Sequence, residues 1–162
     1  MTVLSDQTIK DNLQNLFGYR QPLPTNIQPC SVDLRLDKTL KTLNGDVIEI
    51  PYEGYLLKPQ EFILGSTFEE ITLPHNLVAR IEGRSSTGRL GVMCHITAGF
   101  IDPGFHGNIT LELYNCSSEP FLLEYGDALC QIVFQTLNQP CTYPYDGKYQ
   151  GDHGVQCSRW KQ

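Results

Sequence analysis

Long apolar stretches are missing from this sequence. A membrane-spanning helix needs roughly 18 or more consecutive apolar residues, and no run approaches that length, so no membrane span is predicted. Residues 1–11 are mostly polar and contain no apolar segment of the kind found in secretory signal peptides. We therefore expect a soluble, cytoplasmic protein with no membrane partner.

Positive charge is scarce. The chain has 12 Lys and Arg residues against 18 Asp and Glu residues, and its formal net charge is −6. Non-specific binding of nucleic acid requires a broad basic surface, so no nucleic-acid partner is predicted. A small anionic ligand is still compatible with this charge, because a local cluster of Arg, Lys and backbone amides is enough to bind it.

Paired cysteines are also absent. The six cysteines at positions 30, 94, 116, 130, 141 and 157 form no Cys-x-x-Cys spacing, which is the spacing typical of zinc sites and redox motifs. None of the four histidines, at positions 75, 95, 106 and 153, lies near a pair of cysteines. We expect reduced thiols and no protein-bound zinc.

The spacing of the apolar residues predicts an all-β fold with one short N-terminal helix. Residues 5–17 have apolar side chains at helical spacing, with Ser5 as the N-cap and Gly18 as the stop. Beyond them, short alternating runs are separated by Pro and Gly. Strands are predicted at residues 31–36, 40–43, 47–50, 55–57, 62–65, 77–82, 109–114, 121–123 and 129–134, with a tight hairpin turn at Asn44-Gly45. Such short, regularly spaced strands favour a sandwich or a barrel.

The length of 162 residues fits a single domain that spans residues 1–162. From residue 138 onward the chain becomes polar and contains Gly147, Gly151 and Gly154. We expect residues 138–162 to form a C-terminal tail or lid rather than part of the core.

The segment Gly-Arg-Ser-Ser-Thr-Gly-Arg at residues 83–89 is a candidate phosphate-binding loop. Arg presents forked donors to phosphate oxygens, Ser adds a hydroxyl, and Gly lets backbone amides approach the ligand. A polar surface turn with solvated arginines explains the same composition, so the segment by itself leaves both interpretations open.

Two carboxylates are candidates for chemistry. Asp102 precedes Pro103-Gly104 and is either a plain turn-former or a carboxylate that faces a ligand from a tight turn. Glu112 lies on the opposite side of its predicted strand from Leu111 and Leu113. It is either exposed to solvent or directed into a cleft, where it can serve as general acid and base.

Taken together, six segments in order resemble the dCTP deaminases of the trimeric dUTPase superfamily. The resemblance covers nearly the whole chain and is most specific in its three central segments. The segments are Ile-Gln-Pro-Cys-Ser-Val-Asp-Leu-Arg-Leu (27–36), Gly-Arg-Ser-Ser-Thr-Gly-Arg-Leu-Gly (83–91), Thr-Ala-Gly-Phe-Ile-Asp-Pro-Gly-Phe (97–105), Ile-Thr-Leu-Glu-Leu (109–113), Gly-Asp-Ala-Leu-Cys-Gln-Ile (126–132) and Lys-Tyr-Gln-Gly (148–151).

The resemblance implies a distorted, dUTPase-like β-barrel of the β-clip type that forms a homotrimer with three sites at subunit interfaces. It implies dCTP and dUTP as ligands, dTTP as an inhibitor, and Mg²⁺ carried on the triphosphate. By the family pattern, the base and the attacking water are surrounded by Ser85, Arg89, the Ala98 carbonyl and Glu112. The implied phosphate and sugar contacts are Arg84, Ser85, Ser86, Asp102, Gln131, Tyr145 and Lys148, with further substrate contacts at Thr87, Gly88, Thr110 and Leu111.

The implied reaction replaces the 4-amino group of cytosine by water. Water attacks C4, one proton reaches N3 and another reaches the departing ammonia, and a single carboxylate such as Glu112 can move both protons. Zinc-dependent nucleobase deaminases carry His-x-Glu and Pro-Cys-x-x-Cys signatures, and this sequence has neither. The resemblance therefore indicates a hydrolase that works without zinc.

Two positions bear on how far the resemblance extends. Asp152 stands where the family usually has Gln, which puts that tail contact in doubt because a carboxylate near phosphates weakens binding unless a cation meets it. Gly99 follows Ala98, as in relatives that also cleave the triphosphate to dUMP and diphosphate, and we expect it to leave room beside Asp102 that an imidazole would fill. The alternatives are a monofunctional dUTP diphosphatase and a catalytically silent nucleotide-binding or regulatory module.

Overall fold

The computed structural model describes residues 2–161. Its helical segments are short: α1 (Asp6–Asp11), α2 (Leu13–Leu16), a 3-10 turn (Pro24–Asn26) and α3 (Ser85–Gly88). The strands are β1 (Ile27–Gln28), β2 (Ser31–Arg35), β3 (Thr39–Lys41), β4 (Val47–Glu49), β5 (Tyr55–Leu57), β6 (Phe62–Thr72), β7 (Leu77–Gly83), β8 (Val92–Met93), β9 (Phe100–Ile101), β10 (His106–Asn115), β11 (Phe121–Leu123) and β12 (Ala128–Thr136). The prediction of an all-β fold is confirmed.

The strands form three antiparallel sheets around one apolar core. One five-stranded sheet has the order β1-β2-β12-β7-β9, the second has the order β4-β3-β6-β10-β8, and β11 pairs with β5. The core includes Leu34, Leu111 and Phe134, which are each 1% exposed or less. Strands β2, β12 and β7 lie side by side, and this order decides which residues surround the candidate phosphate loop.

Two local predictions differ from the structure. The predicted N-terminal helix is two helical turns, because Asn12 adopts φ −120° and interrupts the helix. Ser5 is the N-cap as predicted, since its hydroxyl accepts from the Thr8 N–H. The Asn44-Gly45 turn is wider than a two-residue hairpin, because the Thr42 N–H donates to the Asp46 carbonyl and the paired strands stop at Lys41 and Val47.

The C-terminal tail lies along strand β10. The Gly151 N–H donates to the His106 carbonyl at 2.8 Å and the Asn108 N–H donates to the Asp152 carbonyl at 3.0 Å. A side chain at Gly107 would meet the Asp152 carbonyl oxygen at 2.6 Å, so glycine is required for this close approach. Among residues 2–161, no helix has the length and apolar character needed to cross a membrane.

Candidate active site

The Glu112 carboxylate is held by the backbone of a neighbouring loop. Alternation along β10 buries Leu111 and Leu113 in the core and turns Glu112 to the other face of the sheet. The Glu112 N–H donates to the Cys94 carbonyl at 3.1 Å, and Glu112 Oε2 accepts from the Ile96 N–H at 2.8 Å. Strand and loop therefore fix the carboxylate in advance of any ligand.

Glu112 lines a cleft of about 460 Å³ between β10, the segment around residues 98–105 and the tail. Its volume lies in the range of about 300–1,000 Å³ that is usual for small-molecule sites. The cleft brings together five residues that the sequence predicted as site residues: Ala98, Asp102, Thr110, Glu112 and Tyr145. Its apolar walls include Phe62, Leu64, Phe100, Phe105 and Ile109.

Asp102 stands on the tight turn that the Pro-Gly sequence predicts. The Phe105 N–H donates to the Asp102 carbonyl at 3.2 Å, and the Tyr145 N–H donates to the Pro103 carbonyl at 2.8 Å. The Phe105 and Tyr145 rings pack against each other with their centroids 5.8 Å apart. The turn and the start of the tail thus brace one another beside the cleft.

The candidate phosphate loop lies outside this cleft. Strand β7 ends at Gly83, and helix α3 follows at once. The exposed residues of the loop are Gly83, Ser85, Ser86, Gly88 and Arg89, and none of them lines the cleft that holds Glu112. A single chain therefore contains two separate halves of the predicted site, and does not bring Ser85 and Arg89 to Glu112.

Arg84 and Gln131 are held by the sheet beneath the loop. Arg84 Nη1 donates to the Ala128 carbonyl at 2.6 Å, and Arg84 Nη2 lies 3.1 Å from Asp33 Oδ2. Gln131 Oε1 accepts from the Ser31 hydroxyl at 2.7 Å. Burial raises the pKa of the Asp33 carboxyl, and the Arg84 guanidinium opposes that shift.

Asp152 is paired with a cation of the tail. Arg159 Nη2 donates to Asp152 Oδ1 at 2.9 Å, and Arg159 Nη1 lies 2.8 Å from Asp152 Oδ2 without hydrogen-bond geometry. The Asp152 hydrogen bond raises the pKa of Arg159. Lys148, which the resemblance assigns to substrate, donates to the Arg159 carbonyl and does not line the cleft. The charge at Asp152 is thus neutralised within the tail.

Local geometry bears on three expectations, and the one for Gly99 needs correction. The Thr87 hydroxyl is buried and donates to the carbonyls of Arg84 and Leu129, so it anchors the loop and is not presented to a ligand. The Leu111 side chain is in the core, so it does not reach the cleft. Gly99 leaves no vacant room: an added side chain would meet the Ile81 carbonyl at 2.8 Å and the His95 ring at 3.1 Å.

Several residues near the site escaped the sequence-based prediction. Tyr149, Gln156 and Ser158 line the cleft from the tail, and the Gln156 N–H donates to the Thr110 hydroxyl at 3.1 Å. Tail residues have no periodic pattern that places them against β10. Asp33 gave no separate signal, because it occupies one of the alternating polar positions of its predicted strand, with Ser31 and Arg35.

Among residues 2–161, no cluster of three or more His, Cys, Asp or Glu side chains has a geometry that can hold a metal ion.

Comparison with known proteins gives one consistent result. A sequence profile described as dCTP deaminase-like matches residues 3–137. A protein of Methanosphaera stadtmanae named "dCTP deaminase, dUMP-forming" is 40% identical, and the match covers 100% of this chain and 95% of that protein. A protein of the same name from Methanobrevibacter smithii is 42% identical over 99% of this chain and 96% of its own length.

Solved structures show the same fold. The 2'-deoxycytidine 5'-triphosphate deaminase of Agrobacterium tumefaciens has a TM-score of 0.70 at 23% identity over 83% of this chain. The chain spans about half of that protein, since the match covers 48% of it. The dUTPase from phage phi11 of Staphylococcus aureus has a TM-score of 0.54 at 19% identity, over 83% of this chain and 92% of that one.

Proposed function

The chain belongs to the dCTP deaminase-like family, and on that premise we propose that it is a hydrolase that converts dCTP to dUMP, ammonia and diphosphate. The observation that carries the proposal is the fixed carboxylate of Glu112, which shares one cleft with Ala98 and Asp102. The curated relatives named "dCTP deaminase, dUMP-forming" support both halves of this reaction.

In the first step, water adds to C4 of cytosine and ammonia leaves. Glu112 accepts a proton from the water and transfers it to N3, and then accepts the second proton from the new C4 hydroxyl and delivers it to the departing amine. The Ile96 N–H holds one oxygen of the carboxylate at 2.8 Å, so the Glu112 side chain does not have to be ordered during the reaction. Ala98 directs its carbonyl to the attacking water or to the amine. The products are dUTP and ammonia.

In the second step, water attacks the α-phosphate of dUTP and diphosphate leaves. Asp102 aligns this water from its turn, on the same cleft as Glu112. Mg²⁺ bound to the triphosphate supplies charge neutralisation on the leaving group. Arg84, Ser85, Ser86 and Gln131 bind the phosphates, while Tyr145 and Lys148 contact the nucleotide from the tail. The single active site thus makes dUMP without release of dUTP.

A complete site requires more than one copy of the chain, and we propose a homotrimer. The loop with Ser85 and Arg89 lies outside the cleft with Glu112 within one chain. The segment between these two halves exposes Leu90 (57%), Met93 (38%) and Ile96 (47%), and it is followed by the exposed Phe100 (62%) on the wall of the cleft. Such a cluster of exposed apolar residues is typical of a protein–protein interface. Packing of this face against a second copy brings the two half-sites together.

The proposal is tested by incubating the protein with dCTP and Mg²⁺ and separating the products by chromatography. We expect dUMP, ammonia and diphosphate, with little dUTP. Release of dUTP alone would limit the enzyme to deamination, and unchanged dCTP together with cleavage of added dUTP would indicate a dUTP diphosphatase. No change in either nucleotide would indicate a silent binding module. Inhibition by dTTP is measured in the same assay.

A further inference from the structure

Strand β2 supports two residues of the phosphate loop region at once. Ser31 and Asp33 are two positions apart, so their side chains lie on the same face of the sheet. Both are buried, with exposures of 5% and 6%. The neighbouring strand β12 places Gln131 directly opposite Asp33, and β7 on its other side leads into Arg84. The polar side chains of these four residues therefore lie close together across strands β2, β12 and β7.

The contacts form two parallel arms. In the first arm, Asp33 Oδ2 lies 3.1 Å from Arg84 Nη2, while the Ala128 carbonyl accepts from Arg84 Nη1 at 2.6 Å. In the second arm, the Ser31 hydroxyl donates to Gln131 Oε1 at 2.7 Å, and Gln131 Nε2 donates to the Gly83 carbonyl at 3.3 Å. Each arm fixes one side chain that the proposed function assigns to the triphosphate.

A buried carboxylate next to a phosphate site requires a physical reason, because negative charge repels the ligand and burial of a carboxylate is costly. The Asp33 side chain is 9% exposed and the Arg84 side chain is 34% exposed. The carboxylate thus lies behind the guanidinium, which retains an accessible part. Arg84 Nη1 donates to the Ala128 carbonyl and Nη2 is ion-paired with Asp33 without hydrogen-bond geometry, so other N–H groups of the guanidinium remain for phosphate oxygens.

We propose that Asp33 is a positioning residue that presets Arg84 for the triphosphate of the substrate, and that Ser31 presets Gln131 in the same way. An Arg side chain loses substantial rotamer freedom when it binds a ligand. Because Asp33 orders Arg84 before binding, less of this loss occurs when the phosphates arrive. The inference rests on the proposed function, since it takes Arg84 and Gln131 as phosphate contacts.

The central test is Asp33→Asn, which keeps the shape and one hydrogen-bond acceptor but removes the charge that holds Arg84. We expect the KM for dCTP to rise about tenfold, because the ion pair that orders Arg84 is lost and this long side chain must then be ordered when the phosphates bind, while kcat stays within about twofold. In an Arg84→Ala background the same substitution should change KM by less than about twofold, because the residue through which it acts is gone.

Glu69→Gln is the matched control. Glu69 is a second buried carboxylate that binds an arginine, with Arg35 Nε 2.7 Å from its Oε1. This substitution should lower the midpoint of thermal unfolding and leave the KM for dCTP unchanged. If Asp33→Asn also changed only the unfolding midpoint, or if its effect on KM were equally large without Arg84, Asp33 would be a structural residue and the inference would be wrong.

A binding measurement separates this inference from the proposed reaction. Calorimetry with inorganic triphosphate and Mg²⁺ measures the phosphate contacts without turnover, and we expect Asp33→Asn to weaken this binding about tenfold. Weakened binding in a protein that leaves dCTP unchanged would refute the proposed reaction and support the inference. Unaltered binding, or a parent protein that does not bind triphosphate, would overturn the inference. If Asp33→Asn does not fold, Ser31→Ala tests the Gln131 arm, with an expected weakening of about threefold that disappears in a Gln131→Ala background.

Discussion

Glu112 Oε2 and the backbone nitrogen of Ile96 are 2.8 Å apart and share a hydrogen bond. The Ile96 N–H belongs to the loop between β8 and β9, and the Glu112 N–H returns a hydrogen bond to the Cys94 carbonyl of the same loop. These two bonds fasten the candidate catalytic carboxylate to the segment that leads to Ala98 and Asp102. Backbone groups therefore set the position of the Glu112 carboxylate.

Glu112→Gln should preserve this geometry and abolish proton transfer, because the amide oxygen still accepts from Ile96 but the side chain no longer titrates. We expect ammonia release from dCTP to fall at least ~10²-fold, with nucleotide binding largely retained. Glu49→Gln, in an exposed residue of β4, is the control and should leave the rate unchanged. Ammonia release at the parental rate by Glu112→Gln would remove Glu112 from the mechanism.

Mixing two inactive variants tests whether each site is shared between subunits. The variants Arg89→Ala and Glu112→Gln should each be inactive, and light scattering should show that each is still a trimer. Subunits mixed in equal amounts during refolding should recover about a quarter of the parental activity. A site is active only when one subunit contributes an intact Arg89 and its neighbour contributes an intact Glu112, and each of these has an even chance. A mixture that stays inactive, or an active monomer, would place the whole site within one chain.

Asp102→Asn should affect the second reaction more than the first. The substitution removes the carboxylate that aligns water at the α-phosphate, while Glu112 remains in place for the base. We therefore expect the variant to release dUTP from dCTP, whereas the parent releases dUMP. With dUTP supplied directly, cleavage should be lost more completely in Asp102→Asn than in Glu112→Gln, as measured by diphosphate release. Equal loss in the two variants would contradict this division of roles.

The Asp152–Arg159 pair should matter for affinity rather than for the chemical step. Arg159→Ala leaves the Asp152 carboxylate without its partner on the wall of the cleft, and we expect the KM for dCTP to rise about threefold at low salt, in line with the small energy of partly exposed ion pairs. Added salt should reduce the effect. The double variant Arg159→Ala, Asp152→Gln should recover the parental KM. Failure of the second substitution to restore KM would assign the loss to Arg159 itself.

Tyr55 gives a pH dependence of stability with a defined sign. Burial, followed by the hydrogen bond to Glu61, raises the pKa of Tyr55 to about 12 from its usual 10.0. The unfolded chain therefore loses the phenolic proton first, so the contribution to stability is complete below pH 10 and declines as the pH rises toward about 12. Denaturant unfolding over this interval should show a shallower decline for Tyr55→Phe than for the parent. Identical slopes would show that Tyr55 is not the titrating group.

The sequence by itself determined the type of fold and indicated the segments to which we assign the chemistry. Strand alternation depends on neighbouring residues, so β5 and β11 were predicted at their observed bounds. The turn at Asp102 likewise follows from the local sequence Asp-Pro-Gly. Local patterns were less reliable where a side chain competes with backbone N–H groups for a carbonyl. The predicted helix breaks at Asn12, where the side-chain amide donates to the Thr8 carbonyl.

Only the tertiary structure decided which distant residues meet. The order of the strands in the sheet places Asp33 beside Arg84 and Ser31 beside Gln131. This order cannot be inferred from the periodicity of the sequence. Tail docking against β10 decided that Asp152 lies on the wall of the cleft. The physical reason is that these contacts join segments far apart in the chain, and their geometry follows from how strands pair and how the core closes. Local propensity reports the conformation of a segment but carries no information about its neighbours in space.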